Sequence, residues 1–371
     1  MPLRGEAARK TYTRHRPIAR SVWIASHEIL GENCIQKTYE PAGREDSIAF
    51  AEPRLLIELD HPNITPLREA QFDPDRQGHV TLVMRYYPGG SVFDALHTDS
   101  SCLSTGKVVQ ILQGVTDALV YLHVTKGCLH RDIKPKNILL SEDHRLGYLS
   151  DFGSAVRLDP ATNDAALIRT TLLYQAPEGV AAGRLGPPAD VYALGLTAFE
   201  MVNGLLPYAD LDVRTLDRRV NLGQRALPSR MLERGAFAPH VPDALSRIIR
   251  RTVDADPFER PSASALLREL RALQSVDWRR VGGEGLTGTW LGRWPPRLRT
   301  ERQVELQVSS RLLRAGRDRG QVRVVGAYRT ATSGGWRSVG IDPITVSDHD
   351  VAALSAFFKA IDAKAASRWP A

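Results

Sequence analysis

Two short apolar segments near the middle of the chain are separated by a polar turn. Ile138–Leu140 and residues 146–150 each have the length of a buried strand, and residues 141–145 between them are polar. Asn137 directly precedes the first segment and Asp151 directly follows the second. A hairpin of two such strands would place Asn137 and Asp151 side by side.

The hydrophobic pattern after residue 300 predicts a second structural unit. Apolar and polar residues alternate over 304–308 and 322–324, which predicts two strands, and residues 336–341 predict a third. Ser347 or Asp348 is predicted to cap a helix. The apolar face of that helix would hold Val351, Leu354, Phe357, Phe358 and Ile361.

The length of 371 residues leaves room for two domains. The segment Val-Gly-Gly-Glu-Gly at 281–285 is typical of a linker. We therefore predict four regions, which are a tail (1–10), a first domain (11–274), a linker (275–288) and a small basic α+β domain of unknown role (289–371).

Three polar motifs occur in order in the first domain: His-Arg-Asp-Ile-Lys-Pro-Lys-Asn at 130–137, Asp-Phe-Gly at 151–153 and Ala-Pro-Glu at 176–178. Phosphoryl transfer needs a carboxylate that orients the attacking hydroxyl and oxygen ligands for a metal ion. Asp132 would supply the carboxylate, and Asn137 with Asp151 would supply oxygen ligands suited to Mg²⁺. Loop caps alone would not explain why these residue types recur at this spacing.

These motifs resemble those of the serine/threonine protein kinase family, over about residues 11–273. The resemblance implies an α+β, two-lobed kinase fold, here with the small α+β domain appended. It also implies ATP and Mg²⁺ as cofactors and a protein substrate. By the same resemblance, Lys134 faces the transferring phosphate and Thr171 bridges Asp132 and Lys134.

The resemblance also assigns the nucleotide site. Lys37 would contact the phosphates and pair with Glu52, with Glu58 as the competing partner. Pro53 suits a helix only in its first turn, so the helix would begin late or be kinked. Other groups expected at the nucleotide are Val22, Ile35, the gatekeeper Met84, the backbone of Tyr87, and Leu139 beneath the adenine.

Two departures from the family pattern bear on nucleotide affinity. Residues 15–20, where the family has a glycine-rich loop, contain no glycine. Glycine lets the backbone approach phosphates closely, so this loop cannot clamp them in the usual way, and Arg16 or Arg20 could contribute charge instead. Ile35 replaces the usual alanine and should tighten the adenine pocket.

The segment between the second and third motifs bears on regulation. Arg131 is the type of residue that pairs with a phosphate there, and Thr162 and Thr170 are candidate acceptors. The position most often phosphorylated in the family falls near Leu167, which cannot accept phosphate. Control by phosphorylation therefore stays open. By resemblance, Asp190 would brace the catalytic loop and Arg260 would pair with Glu178.

Positive charge concentrates after residue 278. Residues 279–337 hold 13 arginines and four acidic residues, a net charge of +9, against +7 for the whole chain. Five tryptophans also follow residue 273. Because no nucleic-acid motif is legible, the favoured interpretations are a core filled by tryptophan or docking to an acidic protein, including the kinase domain itself; nucleic acid is disfavoured.

Three scattered cysteines, Cys34, Cys102 and Cys128, have no metal-ligand spacing and suggest a reduced state. No run of 18 apolar residues and no signal peptide are seen, so we expect a cytoplasmic protein without a membrane span.

Three functions remain in competition. The leading one is an active serine/threonine kinase whose C-terminal domain recruits substrate or regulates, in which case residues 1–274 should keep basal transfer. The second is a pseudokinase scaffold with an altered phosphate loop, against which the retained Lys37, Glu52, Asp132, Asn137 and Asp151 argue. The third is a small-molecule phosphotransferase, which Thr171, Asp190 and the motif at 176–178 disfavour.

Overall fold

The computed structural model describes residues 11–40, 50–73, 75–98, 103–167, 171–208, 211–228, 236–295, 303–330 and 335–369. The predicted tail at 1–10, Cys102 and Thr170 lie outside these residues. Within them, apolar side chains form a small cluster in an N-terminal lobe, a large cluster that ends at Leu270 and a third cluster that begins at Val276. The boundary between the second and third clusters lies close to the predicted domain boundary at residue 274.

The N-terminal lobe is an antiparallel sheet of five strands in the order β1-β2-β3-β5-β4, with a short helix α1. The bounds are β1 Tyr12–Ala19, β2 Val22–His27, β3 Asn33–Tyr39, α1 Ala51–Leu56, β4 Leu67–Phe72 and β5 Val80–Arg85. Side chains alternate across a strand. Ile35 and Lys37 therefore share the face of β3 that lines the cleft between the lobes.

The second lobe is mainly helical. Its helices are α2 Val92–Thr98, α3 Thr105–Val120, α4 Glu178–Ala182, α5 Pro187–Asn203, α6 Val213–Asn221, α7 Asp243–Thr252 and α8 Ala263–Ala272. Its short strands are β6 Cys128–Leu129, β7 Ile138–Leu140, β8 Gly147–Leu149, β9 Val156–Arg157, β10 Ala165–Ala166 and β11 Arg184–Leu185. Helix α5 is buried along nearly its whole length, so it forms the centre of this lobe.

Helix α3 continues into a turn at Tyr121–Thr125. Together they are long and apolar enough, by length and composition, to cross a membrane. Half of the most apolar window is buried, and α3 packs against α8 and β8. A core helix meets the same criterion, and the position of α3 inside the large hydrophobic cluster is that of a core helix.

The C-terminal domain is an antiparallel sheet in the order β12-β13-β14-β15-β16, in which β17 also pairs with β15. The bounds are β12 Asp277–Gly282, β13 Gly288–Trp294, β14 Val304–Leu312, β15 Val322–Thr330, β16 Arg337–Ser338, β17 Ile344–Val346 and the helix α9 Val351–Arg368. The strands predicted near 304 and 322 are present, and the third predicted strand is reduced to Arg337–Ser338.

Two sequence predictions about this domain are wrong. Residues 275–288 are not a linker, because β12 lies within them and pairs with β13. The glycines that suggested a linker form the turn between the two strands, where Gly283 and Gly285 have positive φ. The cap of α9 is neither Ser347 nor Asp348 but Asp350, whose side chain accepts the Ala353 amide.

Aromatic side chains fill the core of this domain, as the favoured interpretation expected. Trp278, Trp290 and Trp294 are buried, and Phe358 of α9 packs edge-on against the first two. Trp336 is partly exposed and lies under the Arg329 guanidinium. Most of the tryptophans are thus committed to packing rather than to binding.

The C-terminal domain packs closely on the second, helical lobe. The Thr105 hydroxyl donates to the Val276 carbonyl and accepts the Trp278 amide, and the Gly106 amide donates to Asp277. A Cβ atom at Gly106 would lie 2.5 Å from Asp277 Cγ, so this approach requires glycine. Helix α3 and strand β12 are therefore held together by direct hydrogen bonds.

A second part of this interface is aromatic. His240 of the helical lobe is buried and lies edge-on to Phe358. Burial lowers the pKa of His240 to about 4, and nearby Arg280 contributes to this shift. One ion pair, between Lys359 Nζ and Asp243 Oδ2 at 3.0 Å, adds to this contact. Packing and hydrogen bonding thus dominate the contact between the C-terminal domain and the helical lobe.

Asp362 gives this region a pH-dependent stability. Its carboxylate accepts the Trp278 indole N–H at 2.8 Å, and burial together with Asp243 raises its pKa to about 7 from 3.8. The folded protein therefore keeps this proton up to about pH 7 while the unfolded chain releases it near pH 4. Stability accordingly falls as pH rises through this interval.

We expect Asp362→Asn to stabilise the protein more at pH 8 than at pH 5, because asparagine still accepts the indole hydrogen bond and never ionises. The gain at pH 8 has an upper limit of about 4 kcal/mol, from about three pKa units at 1.36 kcal/mol each. Denaturant unfolding followed by tryptophan fluorescence measures it. Asp342→Asn at an exposed site is the matched control, and an equal gain at both pH values would contradict the assignment.

Candidate active site

The loop at 130–137 is anchored from below by Asp190. The buried carboxylate of Asp190 accepts the backbone amides of His130 and Arg131, each at 2.9 Å, and contacts His123 Nε2 at 2.9 Å. Burial alone would raise the pKa of Asp190, but His123 and His130 lower it below its usual value. The carboxylate thus stays ionised and fixes the loop, as the resemblance predicted.

Asp132 lies at the centre of a compact polar cluster. Its Oδ2 atom accepts Lys134 Nζ at 2.7 Å and Asn137 Nδ2 at 3.0 Å, and its Oδ1 atom accepts the Thr171 hydroxyl at 3.1 Å. Lys134 Nζ also donates to the Thr171 hydroxyl at 2.9 Å. The structure therefore brings together four residues that are as many as 39 positions apart in sequence.

The predicted hairpin exists and delivers Asn137 and Asp151 to the same place. Strand β7 pairs antiparallel with β8, and Asn137 and Asp151 both line the cleft. The Asn137 amide nitrogen donates to Asp132, which leaves its oxygen for another partner. A carboxylate and an amide oxygen are hard donors that suit Mg²⁺ completed by phosphate and water. The residues present therefore fit that ion.

Lys37 is held by two carboxylates. Its Nζ atom lies 2.8 Å from Glu52 Oε1 and 2.8 Å from Asp151 Oδ1. Burial alone would lower the pKa of Lys37, but Glu52 and Asp151 raise it; burial would raise the pKa of Asp151, but Lys37 lowers it. Both groups therefore stay charged around neutral pH.

The choice between Glu52 and Glu58 is resolved in favour of Glu52. Helix α1 begins at Ala51, so Pro53 lies in its first turn, where a missing amide costs nothing. Glu58 follows the helix and pairs instead with Arg157 near the surface. Helix α1 therefore presents Glu52, and not Glu58, to Lys37.

A cavity of about 500 Å³ lies between the two lobes. Val22, Ile35, Met84 and Leu139 provide its apolar lining, and Lys37, Glu52, Asn137 and Asp151 its polar end. An apolar slot with charge at one end suits a nucleotide. Tyr87 is not among the lining residues, and its ring packs on Tyr148 with centroids 4.2 Å apart. The sequence prediction assigned only the backbone of Tyr87 to adenine binding.

Several lining residues were missed by sequence reasoning: Ile18, Ala19, Thr65, Arg85, Ser91, Phe93, Asp94, Lys136 and Ser150. Lys136 lies inside the motif at 130–137, which could have identified it. It stands over the Phe93 ring at 4.6 Å. Phe93 and Ser91 carry no comparable sequence signal, because only the fold brings α2 to the cleft.

The loop without glycine is a tight connection between β1 and β2. Ala19 pairs with Val22, and only Arg20 and Ser21 intervene. Ile18 and Ala19 line the cleft, whereas Arg16 and Arg20, proposed as substitutes for the glycine backbone, are exposed and do not line it. The roof of this cavity is therefore apolar.

The segment that follows Asp151 is tied to the catalytic loop through Arg131. Its guanidinium donates to the Ser154 carbonyl at 2.6 Å and to the Ala166 carbonyl at 2.9 Å. Thr162, a candidate phosphate acceptor, donates its hydroxyl to Asp164. The other candidate, Thr170, lies outside the described residues. Arg131 therefore holds this segment against the catalytic loop by donating to two of its backbone carbonyl groups.

Two buried polar pairs support the end of this segment. Arg260 makes two hydrogen bonds of 2.8 Å to Glu178, as predicted, and its guanidinium lies over the Tyr192 ring. Glu200, which sequence reasoning missed, accepts the hydroxyl groups of Tyr174 and Tyr208. Burial raises the pKa of Glu200 despite these donors. Its signal was a carboxylate in the otherwise mostly apolar second half of the helix.

Fold and site together define a two-lobed protein with a polar cluster at one end of an apolar cleft between the lobes. The sequence model of the protein kinase domain matches residues 24–270, about two thirds of the chain. The chain therefore belongs to the protein kinase family. The C-terminal domain lies outside the match.

Similar proteins include several kinases. Serine/threonine-protein kinase PknJ of Mycobacterium tuberculosis is 38% identical over 157 residues, which are 41% of this chain and 25% of that protein. The protein kinase and PP2C-like domain-containing protein of Arabidopsis thaliana is 28% identical, covering 62% of this chain and 38% of that protein. Dual specificity protein kinase pyk3 of Dictyostelium discoideum is 28% identical, covering 62% and 16%. The chain thus spans less than two fifths of each relative.

Proposed function

We propose that the protein transfers the γ-phosphate of ATP to serine or threonine hydroxyls of protein substrates. The observation that carries the proposal is the cluster of Asp132, Lys134, Asn137 and Thr171 beside the ion pairs of Lys37. The similarity to kinases whose printed names specify serine/threonine supports the choice of hydroxyl. Thr171, bonded to both Asp132 and Lys134, also supports it.

Each residue has a separable role in this mechanism. Asp132 accepts a hydrogen bond from the substrate hydroxyl and orients it toward the phosphate, and Lys134 offsets charge on the transferring group. Lys37 holds the phosphates of the nucleotide while Glu52 holds Lys37. Asn137 and Asp151 would hold Mg²⁺, which neutralises phosphate charge when bound.

A pseudokinase scaffold is the alternative, favoured by one observation. The roof formed by Ile18 and Ala19 has no glycine backbone to approach the phosphates. Transfer of radiolabelled phosphate from ATP by the purified full chain, alone and with a generic protein substrate, distinguishes the two. Incorporation into the protein substrate supports the kinase, whereas nucleotide binding without any transfer would support the scaffold. Transfer to small molecules alone would favour the third function.

We further propose that the C-terminal domain acts by contact, docking an acidic protein partner. Its positive charge supports this role, and no nucleic acid or membrane is proposed as a partner. We also propose a reducing, cytoplasmic location, supported by the free and buried Cys34 and Cys128. Imaging of the tagged full chain in cells tests the location.

A further inference from the structure

A groove of about 460 Å³ separates the kinase lobe from the C-terminal sheet. One wall comes from α2, the start of α3 and the turn between β7 and β8, and the other comes from β12, β13 and β14. Ala95, Leu103 and Leu291 give it an apolar floor. We call this feature the interdomain groove; it is distinct from the nucleotide cleft, with which it shares no lining residue.

Four cationic side chains line the interdomain groove: Lys107, Arg145, Arg279 and Arg293. Arg145 lies 3.5 Å from the Asp143 carboxylate. The other three form no ion pair with any described residue. Arg279 and Arg293 are exposed, and Arg293 is a cross-strand neighbour of Asp277 without contacting its carboxylate within 4 Å.

The acidic side chains of the groove offset only part of this charge, because three carboxylates stand against four cations and one of the three is paired with a residue outside the groove. Asp143 accepts from Arg145, Asp277 from the Gly106 amide at 2.7 Å, and Glu305 from Arg329 at 2.5 Å. Arg329 lies outside the groove. Lys107, Arg279 and Arg293, which have no ion-pair partner among the described residues, therefore face a concave surface on which Asp143 and Glu305 are already paired and Asp277 remains to offset them.

The electrostatics of Lys107 agree with this geometry. Burial lowers the pKa of Lys107, and Arg145 and Arg279 lower it further, against a smaller opposing effect of Asp143 and Asp277. Like charges are thus crowded at a partly buried position. An incoming anion would relieve the repulsion.

The groove is also preformed. The hydrogen bonds of Thr105 and Gly106 to β12 fix its two walls relative to each other. The backbone positions of Lys107 on α3 and of Arg279 on β12 are therefore fixed relative to each other before any ligand binds. Preorganisation of this kind reduces the entropy cost of binding.

We propose that the interdomain groove binds an Asp/Glu-rich segment of the protein substrate and so selects substrates from outside the catalytic cleft. This inference rests on the proposed kinase function and names its docking site. The apolar floor and the free cations fit an extended peptide that carries several carboxylates. The contribution is to substrate capture, so it should affect KM and leave kcat unchanged.

The test uses full-length protein and two readouts. One is the anisotropy of a fluorescein-labelled hexaglutamate peptide, with a hexaglutamine peptide as the neutral reference. The other is KM for a generic serine peptide joined through flexible linkers of several lengths to hexaglutamate or to hexaglutamine, because an effective linker must span the two sites. The groove variant is Arg279→Glu with Arg293→Glu. The control, Arg314→Glu with Arg317→Glu, makes the same charge change on the exposed β14–β15 turn.

The wild type should prefer the substrate extended with hexaglutamate, and the groove variant should raise its KM and the peptide Kd by about tenfold or more. The control should change either value by less than about twofold, and KM for the unextended peptide should not change. If both variants weakened hexaglutamate binding equally, the effect would come from the overall positive charge of the domain and not from the groove, and the proposal would be overturned. Equal binding of the hexaglutamate and hexaglutamine peptides, or tighter binding of single-stranded DNA that the groove variant abolishes, would also overturn it. Absence of any transfer would refute the kinase function, while the anisotropy still tests the groove.

Discussion

Asp132→Asn is expected to reduce kcat by about 10²–10⁴-fold, the range typical of a lost general base. Asparagine has nearly the same shape, and its one amide oxygen can still accept from Lys134 while its NH₂ group faces the Thr171 hydroxyl, but it cannot take up the proton of the substrate hydroxyl. Folding should be preserved, because the loop is anchored by Asp190 and not by Asp132. Steady-state transfer from labelled ATP, with matched thermal unfolding curves, measures both properties.

Asp117→Asn serves as the control for this variant. Asp117 lies on α3, about a third exposed, and pairs with Arg271 at 3.2 Å, remote from the cleft. The same chemical change there should leave kcat within about twofold of wild type, since surface pairs contribute little. Wild-type turnover by Asp132→Asn would remove the role assigned to this carboxylate and, with it, the kinase mechanism.

Lys37→Ala is expected to lower kcat by about 10²–10³-fold, the loss typical when one preorganised charge donor is removed. The substitution removes the cation proposed to hold the phosphates. It also leaves the carboxylates of Glu52 and Asp151 without the lysine that pairs with both. Because the Lys37 and Asp151 pKa values are shifted apart, the pair is ionised at neutral pH, and this loss should not depend on pH between about 6 and 8. Lys364→Ala, on the exposed face of α9, is the matched control.

A pair of glutamine variants tests the partner of Lys37. Glu52→Gln should share most of the loss because Glu52 lies 2.8 Å from Lys37 Nζ. Glu58→Gln should be close to wild type because its carboxylate pairs with Arg157 at the surface. If Glu58→Gln were the more damaging of the two, the active enzyme would use a different register of this helix.

The sequence determined most of the catalytic chemistry, because that chemistry depends on short stretches of chain. Asp132, Lys134 and Asn137 occupy one loop, and the pattern of two short apolar segments around a polar turn suffices to predict that Asn137 meets Asp151. Lys37 and Glu52 were predicted through family resemblance and not through local geometry, and Pro53 restricted the helix start because proline is tolerated only in a first turn. Alternating residues likewise predicted β14 and β15.

Only the tertiary structure decided how distant segments meet. Strand β12 was not predicted, because the glycines at its end indicated a linker. They instead form the turn to β13, and pairing with β13 holds β12 in place. Glu200 and its partner Tyr174 are 26 positions apart in sequence, and Thr105 and Trp278 are 173 positions apart. No local pattern encodes such pairings. The interdomain groove exists for the same reason. Within the part of the chain that the structure describes, Lys107, Arg279 and Arg293 lack an ion-pair partner because the fold pairs the nearby carboxylates of Asp143 and Glu305 with other arginines, and side-chain identity alone does not specify that pairing.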